Sequence, residues 1–177
     1  MMIFHIDMAN QYEQKSYSII TLVSVNTNNQ KDNQTKKGIV IADPLRKDLL
    51  KDYSKIHLHA ALISMLVENI KPIKKIIICC DIAPVDKVMG AICELRPELV
   101  FGIFEPLSEL REKIGSPHYK SEADAFARNI NRNYEKRRNF HRKKEYFKDG
   151  SVVIISDKSD EYEALLEKLK RFKENNR

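Results

Sequence analysis

Asp7 and Asp81 each close a short apolar run, IFHID and KIIICCD. Runs of that kind read as buried strands, and a buried strand that ends in Asp delivers a carboxylate to the edge of a sheet, where open α/β folds place their sites. If the two strands are neighbours, the two like charges meet and call for a cation. Hard oxygen ligands select Mg²⁺ or Mn²⁺ rather than zinc. The plainer reading of either residue is an Asp that caps the next turn. A third acidic group lies in Ser121-Glu122-Ala123-Asp124. Ser121-x-x-Asp124 has the form of a capping box, and acids favour helix N-termini in any case. Capping is compatible with a metal role, because a helix start can aim a carboxylate at an ion. Asp7, Asp81 and Asp124 are therefore the candidate catalytic residues, and Glu122 joins them as a candidate metal ligand.

Charge supplies the second signal. The formal net charge is +6. Between Arg128 and Lys148 nine Lys/Arg face only Glu135 and Glu145, a local net of +7, so the rest of the chain carries about −1. A basic stripe on an otherwise balanced chain is the footprint of a polyanion, here RNA or DNA. The candidate contacts are Arg128, Arg132, Lys136, Arg137, Arg138, Arg142, Lys143 and Lys144. The alternative is a solvated helix face. Tyr134, Phe140, Tyr146 and Phe147 interleave with these charges, either to stack on unpaired bases or to anchor the segment.

Composition narrows the remaining classes. A chain of 177 residues with 42% hydrophobic and 32% charged residues fits one α/β domain over 1–177. The apolar run Ile76–Cys80 is too short to span a bilayer, so no membrane partner is expected. Met1–Asp7 has no basic region ahead of its apolar residues and does not read as a signal peptide. Cys79, Cys80 and Cys93 form no CxxC pair, which points to a reducing, cytoplasmic compartment without structural zinc. His57, His59 and His118 have no metal spacing with cysteine, no glycine-rich phosphate loop is present, and neither Ser151 nor Ser156 sits in a nucleophile elbow.

The elements that must position these residues follow from periodicity. Ile3–Met8, Tyr17–Val25 and Gly38–Ala42 read as strands of a meander, joined across the polar stretch Asn26–Lys37; a single helix over Gln11–Val25 is the alternative. Ser54 caps a helix to about Asn69, stopped by Pro72. Lys75–Asp81 is the clearest strand, followed by a helix over Val85–Leu95 and a strand over Leu99–Phe104. Leu107–Ile114 is a short helix closed by Gly115. A long basic helix over about 122–148 buries Ala123, Phe126, Ala127, Ile130 and Tyr134. Ser151–Ser156 is a last strand, and the final helix carries Tyr162, Leu165, Leu166, Leu169 and Phe172 on one face.

This order of elements, with IFHID, KIIICCD and SEADAFAR, resembles the ribonuclease H-like superfamily, which includes ribonucleases H and Holliday-junction resolvases. The resemblance covers about residues 2–134 and leaves the C-terminal βα unit, about 151–172, as an extension. It implies a five-stranded mixed sheet with flanking helices and two-metal phosphodiester hydrolysis. Asp7 would bridge the ions, with Asp81 and Asp124 (or Glu122) completing the ligands. Resolvase-like members imply a homodimer. The family usually carries an acid on its first helix, where this chain has His59; His59 also falls on that helix's apolar stripe, as a core histidine would. Glu68, near the helix end, is the other acid in range. Without the missing acid the same scaffold would bind nucleic acid or a partner and not cut. A second resemblance is to the PIN and flap-endonuclease pattern, carried by Asp7-x-x-Asn10, EADA and VVIISDKSDEYEALL. It implies a parallel sheet, with Asp157 and Asp160 as the last ligands.

Overall fold

In Tyr17–Val25 every residue but the last is buried, and β-branched side chains dominate. Continuous burial of that kind requires cover on both faces, which only a central strand receives. The computed structural model describes residues 2–9, 17–25, 34–70, 73–79, 83–99, 101–137, 142–144, 147–157 and 159–174. Six strands form one mixed sheet: β1 (Met2–Ala9), β2 (Tyr17–Val25), β3 (Lys36–Ala42), β4 (Ile73–Ile78), β5 (Phe104–Pro106) and β6 (Val152–Ile155), in the order β5-β4-β1-β2-β3-β6. β1, β2 and β3 pair antiparallel. β4 lies parallel to β1, β5 parallel to β4, and β6 parallel to β3. The helices are α1 (Leu45–Asp52), α2 (Lys55–Leu66), α3 (Val85–Leu95), α4 (Leu107–Ile114), α5 (Glu122–Lys136) and α6 (Asp160–Glu174).

Strand alternation sorts the side chains into two cores. Phe4, Ile6, Ile20, Leu22, Ile39, Ile41, Ile76, Ile78 and Ile155 point to the side covered by α1, α2, α3 and α6. Tyr17, Ile19, Val40, Val152 and Ile154 point to the other side, where Ala127, Ile130 and Tyr134 of α5 meet them. The approach of α5 is closest at Gly38, where a Cβ would stand 2.6 Å from Ile130 Cδ1. Gly38→Ala is therefore expected to cost about 1–3 kcal/mol through overpacking. Ile130→Val, which removes that Cδ1, is expected to recover part of the loss. Urea unfolding of the single and double variants would read the coupling.

Several boundaries differ from the sequence expectation, each for a physical reason. The sheet has six strands and not five, because β6 is hydrogen-bonded to β3 and so belongs to the same sheet. It is mixed, not all-parallel. Tyr17–Val25 is a strand and not part of a helix; residues 11–16 lie outside the described residues. The strand expected at Leu99–Phe104 is shorter and later: Leu99 closes a turn onto the Arg96 carbonyl (2.8 Å) and is buried in the first core, so the chain enters the sheet only at Phe104. α1 has no counterpart in the sequence reading. Its only strong apolar residues are spaced Leu45, Leu49 and Leu50, and Arg46 is buried beside them, paired with Asp43 (3.2 Å) and donating to Ser18 Oγ (2.8 Å). The basic helix ends at Lys136, not near 148. Arg137 is extended, and its guanidinium folds back onto the Asn133 carbonyl (2.9 Å), which satisfies one of the helix's last acceptors.

Candidate functional site

Alternation along β1 turns His5, Asp7 and Ala9 toward α5, away from the core that holds Phe4 and Ile6. Asp7 lies level with Thr21 of β2, and on the other side the Cys79 N–H donates to the Ile6 carbonyl (3.0 Å), continuing the β1–β4 pairing past Ile78. A carboxylate here is flanked by backbone on both sides, and Asp7 is only 7% exposed. Met8 N–H donates to its Oδ1 (2.7 Å) and the Ser121 hydroxyl to its Oδ2 (2.9 Å).

Ser121 has two tasks. As the N-cap of α5 its Oγ accepts the Asp124 N–H (3.0 Å), as the sequence suggests. The same hydroxyl's proton goes to Asp7, so the first turn of α5 is tied to the end of β1. Thr21 adds a second tie from β2, donating to the Ala123 carbonyl (2.9 Å). The two bonds bring Asp124 to Asp7. Burial pushes the Asp7 carboxyl above its usual range. Hydrogen bonds from Met8 N–H and the Ser121 hydroxyl pull it down, the Asp124 charge pushes it up, and the Cys79 thiol pulls it down again. The Asp124 carboxylate itself pairs with Arg128 one turn along. A full reciprocal capping box is thus not formed by these bonds: the serine half is present, and the acid turns to Arg128.

Glu122 is exposed and acts on a neighbouring pair, His5 and Tyr119. The Tyr119 ring meets His5 edge-on (centroids 6.1 Å apart), held by Arg111 Nε on its carbonyl (2.9 Å). Burial pushes the His5 imidazole below its usual value, with the Glu122 charge working against it. His5 is 3% exposed, and its Nδ1 has no hydrogen-bond partner among the described residues. Neither His5 nor Tyr119 stood out in the sequence, because no spacing links them; β1 and the loop before α5 bring them together.

Asp81 lies outside the described residues, two positions beyond Cys79. Among the described residues no group of three His, Cys, Asp or Glu is placed to hold a metal. The described part of the site thus brings two carboxylates within reach of each other's charge, buried Asp7 and the Arg128-paired Asp124, while Glu122 acts on His5 and Tyr119.

His59 does not belong to this site. α2 covers the opposite face, among Phe4 and Ile6, and His59 is 1% exposed there. Loss of solvation lowers its pKa to about 4. Glu68 is no substitute ligand, because it follows α2 and its carboxylate meets Lys168 (3.4 Å). Asp157 and Asp160 follow β6, three strands from β1, about 14 Å away at the usual strand spacing.

The basic residues separate into two groups. Arg128, Arg132 and Lys136 are exposed in one row that continues from Asp124 along α5. Arg142 and Lys144 are also exposed. Arg137 is folded onto Asn133, and Lys143 lies over the Tyr134 ring (3.6 Å), where burial lowers its pKa. Arg138 lies outside the described residues, as do Phe140 and Tyr146. Tyr134 and Phe147 are buried in the α5 core, Tyr134 against Tyr17 (4.5 Å), so of the two weighed roles they anchor the segment. No helix among the described residues is long and apolar enough to cross a membrane. Comparison with protein-family models, with curated proteins and with solved structures returned no match.

Proposed function

We propose that this chain is a divalent-metal-dependent nuclease of the ribonuclease H-like kind, acting at the end of β1 and holding RNA or DNA along α5. The observation that carries the reading is the Ser121 hydroxyl, which joins buried Asp7 to the helix turn bearing Asp124 at the carboxyl end of a central strand. β4 runs beside β1 in parallel, so the chain that leads to Asp81 leaves the sheet next to Asp7. The mixed sheet, antiparallel over β1–β3 and parallel over β1, β4 and β5, agrees with the ribonuclease H-like resemblance better than with a parallel PIN-like sheet. Asp7, Asp124 and Asp81, with Glu122 at hand, would hold Mg²⁺ or Mn²⁺. Such an ion supplies an activated water and neutralises charge on the phosphate. The row Arg128, Arg132 and Lys136 would take up the strand's phosphates, with Arg142 and Lys144 beyond it.

Two observations favour a second reading, a binding module that does not cut: the Asp124 carboxylate is already engaged by Arg128, and α2 brings the core histidine His59 where the resemblance expects an acid. Incubation with labelled single-stranded RNA, single-stranded DNA, an RNA–DNA hybrid and a branched DNA, with Mn²⁺ or EDTA, separates the two. Cleavage in Mn²⁺ alone is expected, reduced on the order of a thousandfold in Asp7→Asn and in Asp81→Asn. Retained salt-sensitive binding without cleavage in any lane would select the binding module.

A further inference from the structure

β6 ends the sheet: β3 lies on one side of it, and among the described residues no strand lies on the other. Its hydrogen bonding can be followed group by group. The Gly38 N–H donates to the Ser151 carbonyl (2.8 Å) while Gly38 stands level with Val152, so the parallel ladder to β3 runs through residues 151, 153 and 155. Val152 and Ile154 therefore turn their N–H and C=O groups outward. The edge is closed at both ends of this window. The Gly150 N–H donates to the Phe147 carbonyl (3.4 Å). The Ser156 N–H donates to Ser159 Oγ (3.3 Å), and the Ser156 carbonyl accepts from the Ser159 hydroxyl (2.9 Å) and N–H (3.0 Å). Between these ends, the two outward donors and two outward acceptors belong to residues only 5% and 6% exposed, and they have no bonded partner among the described residues. Backbone groups held so far from water are nearly always paired.

The window opens into a groove of ≈ 210 Å³ lined by Lys144, Phe147, Val152, Val153, Ile154 and Glu161. Its two walls differ in charge. Phe147, Val152 and Ile154 belong to the α5 core, and Lys144 comes from the same short segment as Phe147, whereas Glu161 lies in the first turn of α6 on the opposite face. We propose that this edge takes up an extended peptide segment of another protein as a seventh strand. The backbone of that segment satisfies Val152 and Ile154. Neighbouring side chains of an extended chain face opposite ways, so a segment with an acid next to a base sets the acid toward Lys144 and the base toward Glu161. A second copy of this chain suits the edge less well. Antiparallel pairing of two β6 strands keeps like faces together, which brings Lys144 toward Lys144 and Glu161 toward Glu161.

The test uses two fluorescein-labelled peptides with blocked ends and one composition. In Val-Lys-Glu-Val-Val the charges face opposite ways when extended; in Val-Lys-Val-Glu-Val they face the same way. Saturable binding of the first to the full chain is expected by fluorescence anisotropy, roughly threefold to tenfold tighter than binding of the second. In Lys144→Glu, a change on an exposed side chain, the preference is expected to disappear. Amide exchange read by NMR places the peptide: the Val152 and Ile154 amides should slow about tenfold or more, and the Val153 amide, already used in the ladder, should not. Equal affinity for the two peptides overturns the proposal, as does a preference that survives in Lys144→Glu. Binding that leaves the Val152 and Ile154 amides unprotected overturns it too, because the peptide then sits elsewhere. No binding of either peptide up to about 1 mM, the weak end of specific recognition, has the same consequence. Protection of these two amides that grows with protein concentration in the absence of peptide overturns it in favour of a second copy.

Discussion

Removal of residues 151–177 is expected to leave a chain with no cooperative unfolding transition, although the whole resembling core, about 2–134, would remain. The reason is where the removed side chains lie. β6 covers the outer side of β3, and its Val152 and Ile154 fill the α5 core while Ile155 fills the other. Leu165, Leu169 and Phe172 of α6 are at most 1% exposed, in one cluster with Phe4, Ile6 and the apolar residues of α2. Burying a side chain of this size contributes about 1.5–3 kcal/mol, and a domain of ordinary stability holds only about 5–15 kcal/mol in all. The losses together exceed what the rest can spare. Phe172→Ala tests the same point gently. The ring stacks on His57 of α2 (centroids 4.3 Å apart, planes 8° apart), and its truncation is expected to cost about 3–5 kcal/mol by urea unfolding. A truncated chain that melts cooperatively near the full-length temperature would show that the βα unit is an appendage.

Acid is expected to weaken the fold well before the carboxylates titrate, and His59 is the cause. Its pKa is lowered to about 4 by burial, against about 6.5 in an unfolded chain. A histidine with a lowered folded pKa binds its proton more readily when unfolded, so its contribution is fully present above about 6.5 and is lost as pH falls toward 4. Between pH 7 and pH 5 the loss amounts to about 2 kcal/mol, or about 4–8 °C in melting temperature for a chain of this size. His5 is shifted in the same direction and adds to the trend. Asp7 works the other way. Its folded pKa is raised by burial above that of the unfolded chain, so on acidification the fold takes up this proton first and gains stability from it. The difference between wild type and His59→Leu isolates the His59 part: the variant should lose much less between pH 7 and pH 5. Equal losses would mean that His59 is not the proton acceptor.

The local part of this architecture was legible in the residues. IFHID, YSIITLVSV, KIIICC and SVVIIS are short runs rich in apolar and β-branched residues, and each contributes a strand. The SEADA segment begins a helix at Ser121, and the serine caps it, because short-range hydrogen bonding is decided within a few residues. Leu165, Leu169 and Phe172 were assigned to a buried face by helical spacing alone. What no spacing expresses is which strand neighbours which. Tertiary packing decided that β6 joins β3 and so enlarges the sheet, and that β1 lies between β2 and β4. It decided that Arg46, with a polar sequence around it, is buried against Ser18 and Asp43, and that Lys143 rests on Tyr134 instead of facing solvent. The second hydrogen bond of Ser121 is of the same kind. Its cap partner is three residues away, whereas Asp7 is 114 residues away, and only the docking of α5 on β1 and β2 brings that carboxylate within 2.9 Å. Residue type and spacing thus determined which groups could do chemistry; long-range packing decided which of them meet.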